Sequence, residues 1–305
     1  MKTKLFPTIL ATVISLTSFA QDVVFKALAS SGDATIERSS TPGVYDPIKM
    51  GTPVYKNDKI IMGANGYLGL TSTAGKTVQL KGEGIYPVND LSGDLKADQS
   101  DIASKYIACI FDGMKKESSS ISSNMSLTGS VERSLGNAGI NLFLPESTKI
   151  KSDKVSTINW IANEDATSYK IVLLNLFDEE VYSAEIKGNS AEINFGALGL
   201  SADEIYKLSV KDNNNQKVHS GVVTLQILDG EELNKVNTDF AAIEAAAPGD
   251  DAISNLVKAS FYEQNGMYME AVEYFEKAIK AAPDVEQYKI VYENFKNKTG
   301  INGEL

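Results

Sequence analysis

The chain has 305 residues, with 29 Lys and Arg against 40 Asp and Glu, a net charge of −11, one His and one Cys. That length predicts about two domains or three small ones, and a hydrophobic content of 43 % can build cores, which excludes wholesale disorder. The acidic balance, with no Lys/Arg cluster, argues against nucleic-acid binding; a lone Cys109 excludes an internal disulfide or a Cys-rich zinc module; and a lone His219 removes the residue most used for acid–base and metal chemistry.

The N-terminus carries Lys2 and Lys4, then an apolar run over 5–16, then Ser18-Phe19-Ala20 with small residues at −3 and −1 of a cut after Ala20. This predicts a secretory signal peptide over 1–20. No Cys follows the cut, and no later apolar run reaches the roughly 18 residues of a membrane span. The mature chain is therefore expected to be exported without a transmembrane segment. Export with a single Cys suits a bacterial envelope, periplasmic or outer-surface associated.

Residues 21–90 read as short strands separated by Gly-rich turns, which predicts a small β domain. Gly32-Asp33-Ala34-Thr35-Ile36 opens the pattern. Met50-Gly51-Thr52-Pro53-Val54 with Lys56-Asn57-Asp58-Lys59-Ile60 follows, and then Tyr67-Leu68-Gly69-Leu70 with Ala74-Gly75-Lys76-Thr77-Val78-Gln79-Leu80. On these motifs the segment resembles a FecR-type domain, and the chain resembles a FecR-type domain protein of a bacterial (Bacteroidetes-like) envelope. It departs from the family at Asn57, where Gly is usual, and at Ala74, where Asp is frequent. The chain lacks the cytoplasmic segment and membrane helix of the family's sigma-factor regulators, so the resemblance implies a periplasmic β module.

Over 91–117 the apolar period lengthens to 3.6, with Leu91, Leu95, Ile102, Tyr106, Ile107, Ile110, Phe111 and Met114 on one stripe. An amphipathic helix packing on the β domain is expected, with Cys109 as a small filler. Residues 118–140 are Ser-rich and read as an interdomain linker, which predicts that 21–117 folds by itself. Residues 141–228 again show short period-two strands. Thr157-Ile158-Asn159-Trp160, Ser168-Tyr169-Lys170-Ile171, and Leu200 followed by Tyr206-Lys207-Leu208 resemble an immunoglobulin/fibronectin type III-like sandwich, with Trp160 as core and Tyr206 as corner hydrogen-bonding residue. Asp212-Asn213-Asn214-Asn215 reads as a hairpin turn.

From residue 229 to 305 the chain is rich in Ala, Glu and Lys and reads as four helices. Ala259, Tyr262, Gly266, Ala271, Phe275, Ala278 and Pro283 stand at spacings that resemble a tetratricopeptide repeat, and Phe240 and Pro248 lie 35 residues before Phe275 and Pro283. Such repeats usually bind proteins. The last helix shows Tyr288, Val291, Tyr292 and Phe295 with no later helix to cover them, so these four and Tyr262 are the candidate protein-binding residues.

The fold class expected is thus multidomain, β + α. A small FecR-like β domain with a following helix is joined to a fibronectin type III-like sandwich and to C-terminal helical repeat hairpins. The function expected is that of a non-catalytic envelope adaptor or assembly component binding envelope proteins, with no cofactor. The alternative is a glycan or peptidoglycan binder using Tyr45, Tyr55, Tyr67 and Tyr86. No nucleophile elbow, P-loop, dinucleotide Gly pattern or metal-ligand cluster appears in the sequence.

Overall fold

The structure, a computed structural model, describes residues 22–72, 75–92, 101–115, 139–161, 166–202 and 204–301. The signal peptide and the Ser-rich stretch up to residue 138 lie outside the described residues. What is described is a multidomain β + α protein: two β units and a helical layer.

The first β unit is two four-stranded antiparallel sheets. One runs β4 (Pro53–Tyr55), β1 (Val23–Ser31), β6 (Tyr67–Ser72), β7 (Thr77–Lys81). The other runs β3 (Tyr45–Pro47), β2 (Ala34–Glu37), β5 (Lys59–Met62), β8 (Gly84–Pro87). Phe25, Ile36, Ile60, Leu68, Leu70 and Leu80 fill the space between them. Period-two alternation alone would leave the other face of β6 wet, yet every residue of β6 is buried. Tyr67 on that second face belongs to the core of the helical layer, as do Leu28 and Ala29 of β1.

The second β unit sets a three-stranded sheet, β14 (Ser190–Asn194), β11 (Val155–Ile161), β9 (Asn141–Leu142), against a five-stranded one. The larger sheet runs β10 (Ser147–Lys151), β16 (Val223–Leu228), β15 (Ile205–Asp212), β12 (Tyr169–Leu174), β13 (Glu180–Ile186), with β10 parallel to β16. Trp160 is fully buried between the sheets, its ring edge-on to Tyr169 at 5.4 Å.

The helices are α1 (Val88–Ser92), α2 (Asp101–Lys115), α3 (Gly230–Ala246), α4 (Ala252–Gln264), α5 (Tyr268–Ala281) and α6 (Glu286–Thr299). Asp251 caps α4 by accepting from the amides of Ile253 and Ser254. Every residue of α4 from 252 to 262 is buried, including Ser254, Asn255, Lys258 and Ser260. This helix is the hub, with α2, α3, α5 and β7 packed around it.

One expectation is extended here and another is overturned. The stripe of α2 packs onto α3, α4 and α6 as well as toward the β unit. The stripe of α6, expected to be uncovered, is covered by α2, β6 and α5: Tyr288 is 0 % exposed, Val291 6 % and Phe295 2 %. An apolar stripe must be buried but does not name its partner: α2 finds cover in helices that come more than 110 residues later, and α6 in α5 just before it and in α2 more than 170 residues earlier.

Candidate functional site

The five residues singled out from sequence do not form a surface. Tyr262 is buried and stacks on Tyr274 at 5.4 Å. Tyr288 meets Tyr67 hydroxyl to hydroxyl at 2.7 Å. Phe295 packs against Phe275 at 5.0 Å, and Val291 is buried in the same cluster. Burial pushes the phenols of Tyr262, Tyr288 and Tyr292 well above the usual tyrosine range. Tyr292 alone is half-buried, and its hydroxyl donates to Glu276 Oε1 at 3.2 Å.

The four tyrosines of the first β unit are also separated. Tyr45 is 58 % exposed on edge strand β3, while Tyr86 lies on the opposite edge strand β8 and packs into the core. The Arg38 guanidinium sits 5.2 Å from the Tyr55 ring, and Tyr67 is buried under the helices. With Tyr67 buried, the four rings do not make one exposed surface.

What the fold does build is a cleft of about 190 Å³ between α5 and the three-stranded sheet of the second β unit. Met269, Val272, Glu273 and Glu276 recur at helical spacing along one side of α5. They face Val155, Thr157 and Asn159, alternate residues of β11 whose side chains leave the sandwich core. Phe143 and Leu144 supply further apolar wall, and Lys154 stands among the acids.

The electrostatics of this cleft are uneven. Lys154 Nζ lies 3.4 Å from Glu270 and 3.7 Å from Glu273. Burial works to raise the Glu273 carboxyl, but the Lys277 hydrogen bond at 2.7 Å and the charge of Lys154 outweigh it and hold the group below its ordinary value. Glu276 goes the other way: burial pushes its carboxyl up, and the Tyr292 hydrogen bond only partly offsets this. No cation lies within ion-pair distance of Glu276 among the described residues, although the charge of Lys296 also works to lower its carboxyl and that of Glu273 to raise it. Glu270, 1 % exposed, is raised by burial, and its Oε2 has no hydrogen-bond partner.

A second feature is the tip of the hairpin between β12 and β13. Phe177 is 83 % exposed and Leu176 is 52 % exposed. The loop is braced rather than loose: Asn175 Oδ1 accepts from the amides of Phe177 at 2.9 Å and Glu179 at 3.0 Å. Lys207 donates to Asp178 at 2.7 Å and to the Leu176 carbonyl at 3.4 Å, across from an Asp178 held at φ 64°.

Neither feature was found from sequence. α5 was read for its buried Ala271, Phe275 and Ala278, and its other side carries the cleft residues. The signal available for the tip was an apolar pair, Leu176-Phe177, lodged between the turn formers Asn175 and Asp178. The remaining chemistry-bearing residues have local partners or are half-buried. His219 Nδ1 lies 2.8 Å from the Ser220 carbonyl, Cys109 is half-buried, and the amide of Asn214 donates to Asp212 within its turn. No group of His, Cys, Asp and Glu among the described residues could hold a metal ion, and no described helix is long and apolar enough to cross a membrane.

No protein-family pattern matches the chain, and no curated protein does. Among solved structures, the chain is similar to a β-1,2-glucanase from Parabacteroides distasonis at 14 % identity, with a TM-score of 0.24 over 84 % of this chain. The match spans 38 % of that enzyme's chain. A likeness at that score carries no argument about fold or function.

Proposed function

We propose that this is a non-catalytic, exported envelope protein that acts as an adaptor or assembly component. In this reading the C-terminal helices clamp the chain to itself, and the partner is met by the second β unit. The observation that carries it is the braced tip. An aromatic ring 83 % exposed, on a loop fixed by three side chains, gives the fold no packing of its own. Pre-ordering such a ring lowers the entropy lost on binding, which is how aromatic anchors of interfaces work.

The module identities belong to the same proposal. A fibronectin type III-like second unit is supported by its three-plus-five strand order, by fully buried Trp160, and by the Ser201 amide donating to the Tyr206 hydroxyl at 2.8 Å. A FecR-like first unit is supported by Asp58, 1 % exposed, which accepts from Arg38 at 2.8 Å and from the Tyr55 amide at 2.9 Å. Asn57 beside it keeps a negative φ, so the turn does not require the family's Gly. A tetratricopeptide-like hairpin is supported by Ala259, Ala271 and Ala278, each 0 % exposed where α4 and α5 cross.

The test is site-specific photocrosslinking from position 177 in the native envelope, with position 222, also exposed, as control. The adaptor reading expects one dominant adduct from position 177 that is lost in Asn175→Ala. No adduct, or the same adducts from both positions, would count against it.

A further inference from the structure

We propose that the cleft between α5 and β11 is a binding site for an organic cation on an apolar stem, the chemistry of a lysine side chain or a free alkylamine. This goes beyond the adaptor reading and does not depend on it, since the Phe177 tip belongs to the other sheet of the second β unit.

About 190 Å³ is room for one extended side chain, well short of the cavities that hold larger cofactors. The walls at Phe143, Leu144, Val155, Met269 and Val272 suit a methylene stem.

Charge then fixes the head group. Lys154 faces both Glu270 and Glu273, and Glu273 is paired again with Lys277. Glu276 borders the same cavity with a neutral hydrogen-bond donor, Tyr292, and no cation within ion-pair distance among the described residues; the charge of Lys296, seated over the Tyr292 ring, reaches it without cancelling the effect of burial. A partly buried carboxylate without a direct ion pair is costly, and a cation delivered from the cleft relieves that cost. An anionic ligand would add to the charge of Glu273 and Glu276, and a neutral one would leave Glu276 as it is. Tyr292 acts as a positioning residue, holding Oε1 of Glu276 from the far side of α5.

The test uses the mature full chain labelled at methionine methyl groups, with the Met269 resonance assigned by its loss in Met269→Leu. n-Hexylammonium, n-hexanol and hexanoate are titrated in turn, together with a blocked Ala-Lys-Ala peptide. Hexylammonium or the lysine peptide is expected to shift Met269 saturably, about tenfold more tightly than hexanol. The peptide binding more tightly assigns the site to a protein side chain, and hexylammonium binding more tightly assigns it to a free amine. Glu276→Gln, which keeps the helix and the shape, is expected to abolish the preference over hexanol. Tyr292→Phe is expected to weaken it and to shift its pH midpoint. Hexanol or hexanoate binding as tightly as the amine, an amine affinity unchanged in Glu276→Gln, or no saturable shift at millimolar concentration overturns the proposal.

Discussion

The hydroxyls of Tyr67 and Tyr288 stand 2.7 Å apart with their rings edge to face, although 221 residues separate them in the chain. Tyr67 also bonds Gln79 Oε1 at 3.1 Å, and Gln79 accepts from the Ala252 amide at the start of α4. This buried network ties β6 and β7 of the first β unit to α4 and α6.

Gly69 sits at the same junction. A Cβ there would lie 2.6 Å from Ile253 Cδ1 and 3.0 Å from the Tyr288 hydroxyl. Gly69→Ala is expected to cost about 1–3 kcal/mol through overpacking. Tyr288→Phe leaves Tyr67 its bond to Gln79 and is expected to cost about 1 kcal/mol. Urea denaturation of the two single variants and the double checks both values. A double variant no worse than Gly69→Ala alone would show that both act at one contact.

Splitting the chain tests how the helices are shared. Because α2 is packed on α3, α4 and α6, cleavage at an engineered protease site between residues 118 and 126 is expected to leave the two pieces bound. Asn294 Nδ2 donates to the Gly113 carbonyl at 2.9 Å across the same seam. Gel filtration should show one species of unchanged size, and residues 21–117 expressed alone should fail to give a cooperative unfolding transition. A separately folded 21–117 fragment would restore the independence that the Ser-rich stretch suggests.

Phe275 is 1 % exposed between Tyr292 and Phe295 at 5.5 and 5.0 Å. Phe275→Ala is expected to cost about 3–5 kcal/mol, and Ala271→Leu, at the α4–α5 crossing, about 1–3 kcal/mol. Both losses should appear in the transition that also unfolds the first β unit, because Tyr67, Leu28 and Ala29 share that core. Tryptophan fluorescence, which reports Trp160 in the second β unit, checks whether that unit follows or melts separately.

Glu270 gives a pH dependence of definite sign. Burial raises its carboxyl in the folded state, so the folded protein binds this proton more tightly than the unfolded chain does. Its contribution is therefore fully present below the ordinary carboxylate range and is lost as pH rises through the raised value. Lys154 and Lys151 from the second β unit oppose the shift, and Tyr262 from α4 lies on the same side of α5. The native protein should gain stability relative to Glu270→Gln as pH falls from neutral. Parallel urea titrations at several pH values check this, and a gap between the two that does not change with pH would contradict it.

Much of the local structure was legible. The switch from period two to period 3.6, and Pro248 and Pro283 after their helices, are short-range effects of side-chain sterics and backbone hydrogen bonding. The cleft was not legible. Glu276 differs from any other surface glutamate of an amphipathic helix only because β11 and Phe143 stand across from it and Tyr292 stands behind it. Those neighbours come from other segments, and no spacing within α5 encodes them.

The sequence by itself determined that this chain alternates β units with helices and that α2 and α6 each carry an apolar stripe needing cover. Only the tertiary structure decided that α6 is covered by this same chain, through β6, α2 and α5, and that Leu176 and Phe177 are among the large apolar side chains left exposed. Hydrophobic burial is non-directional: a stripe specifies how much apolar area must leave water, and three-dimensional packing selects the surface that takes it.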